Sequence, residues 1–196
     1  MNHIIVEDKL RDTNPVPVVI AFTPNYFIPA STCLYSIFAS LDIEEQIHVI
    51  CLLSEELPDR LKQKIQLIGG ERAQYSFINL QGRLQNIYID AKYTEAASYR
   101  LLLPDLLPEY DKVMYIDCDI IVRNNLVKLY RSVDLGNNYL AAVFEAPMDF
   151  QLGHLKVIGC HPDEYVNSGF LIMNLELMRR DNMVEKFIDA SKADYL

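Results

Sequence analysis

The sequence predicts an α/β protein built on a mostly parallel sheet covered by helices. Strand-like and helix-like patterns alternate three times in the first hundred residues, the order expected of β–α units. The first strand-like run is continuous, apolar and β-branched, as in a strand buried on both faces. Apolar residues fill 51% of the 196 positions and charged ones 23%, a balance that excludes a disordered chain and is enough for one domain with a sizeable core.

Residues 1–15 carry no period and end in Asn14-Pro15, so they read as a flexible leader before a domain spanning 16–196. The run 17–23 (PVVIAFT) is the first strand. Residues 27–41 follow as a helix, with Pro29 tolerated in the first turn and Leu34, Ile37, Phe38 and Leu41 at helical spacing. A second strand covers 46–53 (QIHVICLL), and a second helix covers 56–68, with Leu57, Leu61, Ile65 and Ile68 on one face and Gly69-Gly70 as its stop. Residues 73–80 (AQYSFINL) alternate as a third strand, and 95–107 form a helix interrupted at Pro104. Strands four to six are expected over 112–117, 139–145 and 166–173, before a closing helix over 175–192 with Asn174 as its N-cap. The short strands of the second half extend the same sheet.

Charge and cysteine usage narrow the function classes. Lys and Arg number 18 against 27 Asp and Glu, a net charge of −9 that argues against a phosphate clamp for nucleic acid. The four cysteines (Cys33, Cys51, Cys118, Cys160) form no C-x-x-C pair, which excludes zinc-ribbon and redox spacing. Cys33 and Cys51 read as small buried hydrophobes. Residues 1–15 are too polar for a signal peptide, and no apolar run approaches the roughly 18 residues that cross a bilayer. The expectation is a reduced, soluble, cytoplasmic protein, with a place at the inner face of the membrane.

Asp117-Cys118-Asp119 carries the chemistry. Residues i and i+2 of an extended segment point to one side, so both carboxylates are expected to face one site. With 15 aspartates in the chain about one D-x-D triplet arises by chance, so context has to decide. Here the pair lies between Val113-Met114-Tyr115-Ile116 and Ile120-Ile121-Val122, where two unpaired like charges would cost several kcal/mol. A hard divalent cation, Mn²⁺ or Mg²⁺, removes that penalty, being held by one or two carboxylates and by substrate phosphate oxygens. Open α/β sheets bind ligands beyond the carboxyl ends of their strands, where this pair falls. The plainer alternative has one aspartate capping the following turn and the other solvated.

Four stretches in order resemble the nucleotide-sugar glycosyltransferases of family eight, the group containing glycogenin and lipopolysaccharide galactosyltransferases. They are Val19-Ile20-Ala21-Phe22-Thr23-Pro24-Asn25-Tyr26, Ser98-Tyr99-Arg100-Leu101, the run 111–122 around the acids, and Asn167-Ser168-Gly169-Phe170-Leu171-Ile172-Met173-Asn174. The resemblance runs from Val18 to about Lys192. It implies the glycosyltransferase-A fold, with a mostly parallel, Rossmann-like sheet flanked by helices. It further implies a metal-dependent retaining enzyme that moves a hexose from a UDP-sugar to a saccharide or lipopolysaccharide-type glycolipid acceptor. Asp117 and Asp119 are then the metal ligands. Ala21, Phe22, Thr23 and Asn25 approach the base or ribose, and Tyr26 stacks on uracil. Arg100 meets the donor sugar and phosphate, and Asn167-Ser168-Gly169 forms the turn beside the donor sugar. The catalytic set implied is Arg100, Asp117, Asp119 and Asn167.

Each assignment has a plainer counterpart. Tyr26 also suits a half-buried aromatic starting the first helix, Arg100 a guanidinium reaching to solvent, and Asn167 a turn residue before a core strand. Cys118, inside the binding motif, is expected to point away from the metal and pack. His154 and His161 precede the N-S-G turn and read as loop residues. Thr23 stands where many relatives carry an acid, which bears on uracil recognition. In the family a Q-x-D-type segment, a histidine that completes the metal site and a lysine on the diphosphate come later than Leu196. The resemblance therefore implies that the C-terminal part of the family domain is absent, leaving apolar surface through which the chain self-associates. From another class, the chain reads as a module that binds nucleotide and metal without transfer. A nucleotidyltransferase would want a Gly-rich basic loop where Thr23-Pro24-Asn25-Tyr26-Phe27 stands.

Overall fold

A computed structural model describes residues 14–84, 95–157 and 159–192. All but the last two residues of the expected leader lie outside the described residues. Strand β1 (Val16–Phe22) is buried along its whole length, as its unbroken apolar sequence requires. A 3₁₀ turn (Pro24–Tyr26) leads into helix α1 (Phe27–Ala39), which is followed by β2 (Ile47–Leu53), α2 (Asp59–Gln66) and β3 (Ala73–Asn79). The residues from 95 to 107 do not form one interrupted helix. They divide into α3 (Glu95–Ser98), a 3₁₀ turn (Tyr99–Leu102) and α4 (Leu103–Leu106), with Pro104 in the first turn of α4 rather than breaking a longer helix.

Strand β4 (Lys112–Asp117) is followed by α5 (Leu126–Ser132), β5 (Leu140–Phe144) and α6 (Asp149–Val157). The chain continues through β6 (Val166–Asn174), α7 (Leu175–Arg180) and α8 (Met183–Lys192). The single closing helix is thus corrected to two, broken where Asn182 takes a left-handed φ of 53°. Asn174 does cap the first of them, its side chain accepting from Leu177 N at 2.9 Å.

The sheet has six strands in the order β3-β2-β1-β4-β6-β5. The pairings among β3, β2, β1 and β4 are parallel, while β6 runs antiparallel to both β4 and β5. Alternate residues of each strand feed two cores. Val18, Ile20, Val49, Met114 and Ile116 pack on one face with Leu34 and Ile37 of α1. Val19, Leu52, Val113 and Tyr115 pack on the other with Tyr99, Leu103 and Met178. Two features of this order make the site. The chain winds outward from β1 to β3 and then returns to place β4 on the other side of β1, so the strand order switches between β1 and β4. The reversed β6 brings its first residues to the carboxyl end of β4, since Ile116 pairs with Phe170.

Candidate active site

A cleft of about 200 Å³ opens at that switch point, where Ala21 of β1 lies in register with Asp117 of β4. Of the residues anticipated from sequence, Ala21, Phe22, Thr23, Tyr26, Asp117, Cys118 and Asp119 line it. Tyr26 is brought over the strand end by the 3₁₀ turn, its N–H bonded to Thr23 O at 2.8 Å, and its side chain stays 45% exposed, free to cover a planar ligand. Asn25, on the same turn, is exposed and does not line the cleft.

The two acids reach the cleft by a route other than strand alternation. Asp117 ends β4, and Cys118 and Asp119 form a turn. The extended spacing expected of the pair is therefore corrected, although both acids still line one cleft. The turn is fastened from below by α1: Cys33 Sγ lies 3.9 Å from Asp117 O, and Ser36 Oγ accepts from Val122 N at 2.9 Å. Cys118 is buried and joins the core against α1, as expected of a packed thiol. Burial, reinforced by the carboxylates of Asp119 and Asp117, pushes its thiol up to about 12, and burial does the same to Cys33. Both sulfurs remain protonated and unreactive at neutral pH.

Arg100 does not reach out to solvent. Tyr99, fully buried, anchors its turn, and the Arg100 side chain is 14% exposed. Nε donates to Ala97 O at 2.6 Å, Nη1 donates to Ser168 O and lies 3.7 Å from Asp117 Oδ1, and the guanidinium sits 4.8 Å over the Tyr115 ring. A fixed positive charge thus stands beside the acid pair, tying the 3₁₀ turn to the start of β6. Asn167 forms a local turn, its Oδ1 accepting from Gly169 N at 2.8 Å, and its Nδ2 donates to Glu145 Oε2 at 3.1 Å. Asn167 and Ser168 are exposed beside the end of β4. Gly169 is buried against Asp117, and a Cβ there would lie 2.6 Å from Asp117 Oδ2. Glycine is needed at this position for close approach.

Sequence reasoning missed Tyr115, Ala96 and Ala97 in the cleft wall and Glu145 beside Asn167. Tyr115 carried a usable signal, since it precedes Asp117 by two residues on one face of a strand; its hydroxyl donates to Asp117 Oδ1 at 2.9 Å. Burial pushes that phenol far up, so it remains a donor. His161 is exposed beside Asp163 at 3.5 Å and does not line the cleft. His154 lies on α6. Among the described residues no group of three or more His, Cys, Asp or Glu side chains is placed to hold a metal. The donors in the cleft are two hard carboxylates, and a gap kept open at Gly169 accommodates the first. This set suits a hard divalent cation that takes its remaining ligands from water and phosphate oxygens.

An open sheet with paired acids at its switch point is the glycosyltransferase-A architecture. Solved structures agree: the apo bifunctional glycosyltransferase WbbM superposes with a TM-score of 0.78 at 24% identity, covering 98% of this chain and 36% of that one. Galactosyltransferase LgtC, crystallised with donor and acceptor sugar analogues, gives 0.73 at 25% identity over 90% of this chain and 65% of that one. The chain belongs to glycosyl transferase family 8, whose family model matches residues 17–195. General stress protein A of Bacillus subtilis is 25% identical over 92% of this chain and 63% of its own length. Glycosyltransferase GlyE of Streptococcus pneumoniae is 27% identical over 74% of this chain and 33% of its own. The chain thus spans less than two thirds of the curated relatives it matches. Among the described residues no helix is long and apolar enough to cross a membrane.

Proposed function

We propose that this chain forms the donor-binding part of a metal-dependent retaining glycosyltransferase. Its donor is a UDP-hexose and its acceptor a saccharide or a lipopolysaccharide-type glycolipid. The observation that supports this most is the meeting of the first strand's end with Asp117 and Asp119 around one cleft. Membership of the family supports retention of configuration.

Asp117 and Asp119 would hold Mn²⁺ or Mg²⁺ against the donor diphosphate. Bound there, the cation supplies Lewis-acid stabilisation of the departing UDP. Ala21, Phe22 and Thr23 form the floor for the nucleoside, and Tyr26 stacks on its base. Arg100 places fixed positive charge where negative charge builds up, acting in a partly water-excluded site. Gly169 lets the N-S-G turn come close to the donor. A cytoplasmic setting, at the inner face of the membrane for a glycolipid acceptor, accompanies the proposal. So does self-association, through exposed Val143, Phe144 and Met148. Sedimentation velocity over a concentration series checks the latter, and a species that stays monomeric throughout rules it out.

The decisive experiment is UDP-sugar turnover with Mn²⁺, in the 196-residue chain and in Asp117→Ala and Asp119→Ala. Turnover that survives both substitutions removes the metal role. A second reading is favoured by the share of its relatives that the chain spans: it binds nucleotide and metal but does not transfer sugar alone. Calorimetry with UDP and Mn²⁺ separates the two, since heat of binding without turnover identifies the module.

A further inference from the structure

Tyr115 is 1% exposed, its position fixed by pairing with Val19 of β1 on one side and Leu171 of β6 on the other. Phenylalanine would fill that apolar space equally well, and a phenol there without a hydrogen-bond partner would be destabilising. The hydroxyl has one: it donates to Asp117 Oδ1 at 2.9 Å. The same oxygen faces Arg100 Nη1 at 3.7 Å, while the Arg100 guanidinium lies over the Tyr115 ring. The other oxygen, Oδ2, occupies space that any side chain at position 169 would invade, to 2.6 Å for a Cβ. One carboxylate oxygen is therefore gripped from a rigid wall, and the other lies in room that glycine keeps clear. A carboxylate held this way has lost its rotamer freedom before a cation arrives, as outer-shell partners do for metal ligands.

We infer that Tyr115 is a positioning residue whose hydroxyl fixes the Asp117 carboxylate in the orientation that accepts a divalent cation. The inference rests on the reading that Asp117 and Asp119 bind such a cation, and it adds a residue that acts through Asp117 by orienting it. Because the tyrosine ring is clamped by two strands, the bond restrains Asp117 from a fixed origin.

The test is a titration of the 196-residue chain with Mn²⁺ in the presence of UDP, reading free Mn²⁺ by electron paramagnetic resonance. Tyr115→Phe keeps the ring and removes the hydroxyl. It is expected to raise the Mn²⁺ dissociation constant about tenfold, the low end for outer-shell partners. Its unfolding midpoint in metal-free buffer should stay close to the parent's. Gly169→Ala disturbs the other oxygen with the phenol in place and should weaken Mn²⁺ binding comparably. Unchanged Mn²⁺ affinity in Tyr115→Phe, with the parent binding normally, overturns the positioning role alone. So does a loss of affinity that only tracks a loss of metal-free stability in both variants. A parent chain that takes up no Mn²⁺ overturns the metal reading itself, and this inference with it.

Discussion

The two ends of the central strands treat polar groups in opposite ways. At the carboxyl ends of β1 and β4, acids gather on a cleft of about 200 Å³. At the other end a larger cavity, about 420 Å³, is bordered by Lys112, Tyr110, Glu109 and Asp111. There the side chains are turned on the protein. Lys112 Nζ donates to Tyr130 O at 2.9 Å and Val133 O at 3.1 Å, and it lies 4.2 Å from the Tyr130 ring centroid. Nearby, Arg179 donates to the carbonyls of Pro104, Leu107 and Tyr110 and pairs with Asp111 at 3.3 Å. His48 is bonded to Tyr110 and to Ser76. Cavity size therefore does not mark the site. The larger cavity is edged by groups that close backbone carbonyls and hold the fold, whereas the smaller one ends in two carboxylates, one at the end of β4 and one on the turn that follows it.

If this contrast is right, substitutions at the two ends should separate binding from stability. The largest effect is expected from Asp117→Asn. It removes a ligand charge, which should cost more than loss of an outer-shell partner, at least about 100-fold in Mn²⁺ affinity or ~2.7 kcal/mol. Calorimetry reads the loss, while the metal-free unfolding midpoint should hold. A midpoint that falls with affinity would make Asp117 a structural residue and erase the contrast. Next is Arg179→Met, which breaks charge-assisted bonds to carbonyls and should lower stability by about 2 kcal/mol in urea unfolding. Mn²⁺ uptake should be unchanged, and weaker uptake would mean that the two ends are coupled.

The smallest effect concerns pH. Burial lowers the His48 pKa below its ordinary value, so the fold favours the neutral ring. Its contribution is complete above the unfolded pKa of about 6.5 and is lost as pH falls through that value toward the folded one. Urea unfolding at pH 7.5 and 5.5 should show a drop in stability that His48→Gln reduces. An equal drop in both proteins would assign the pH dependence to other groups.

Much of the fold was legible in the sequence because strands buried on both faces read as unbroken apolar runs. The run predicted at 46–53 became Ile47–Leu53, and that at 112–117 became Lys112–Asp117. Where the sequence was misread, local pattern was not what decided. Helix α5 has only seven residues, too short a run for apolar Leu126, Val127, Leu129 and Tyr130 to establish a period, although Asn125 Oδ1 caps it by accepting from Lys128 N at 3.0 Å. Direction in β6 is set by pairing with β4, a long-range choice that alternation within 166–173 does not encode. The acid pair was found because two charges in apolar company need a partner, even though the geometry assumed for it was that of a strand and not a turn. Tyr115 was overlooked because an aromatic in a core strand looks complete without its hydroxyl.

The reversal of β6 has an evolutionary corollary. Asn167 and its neighbours are located by two ladders, the one that pairs Ile116 with Phe170 and the one that pairs Val143 with Asn167. Insertions between Glu145 and Tyr165, whose backbones are bonded to each other, can be accepted while these ladders hold the register of the turn. That connection is open to change in descendants of this scaffold.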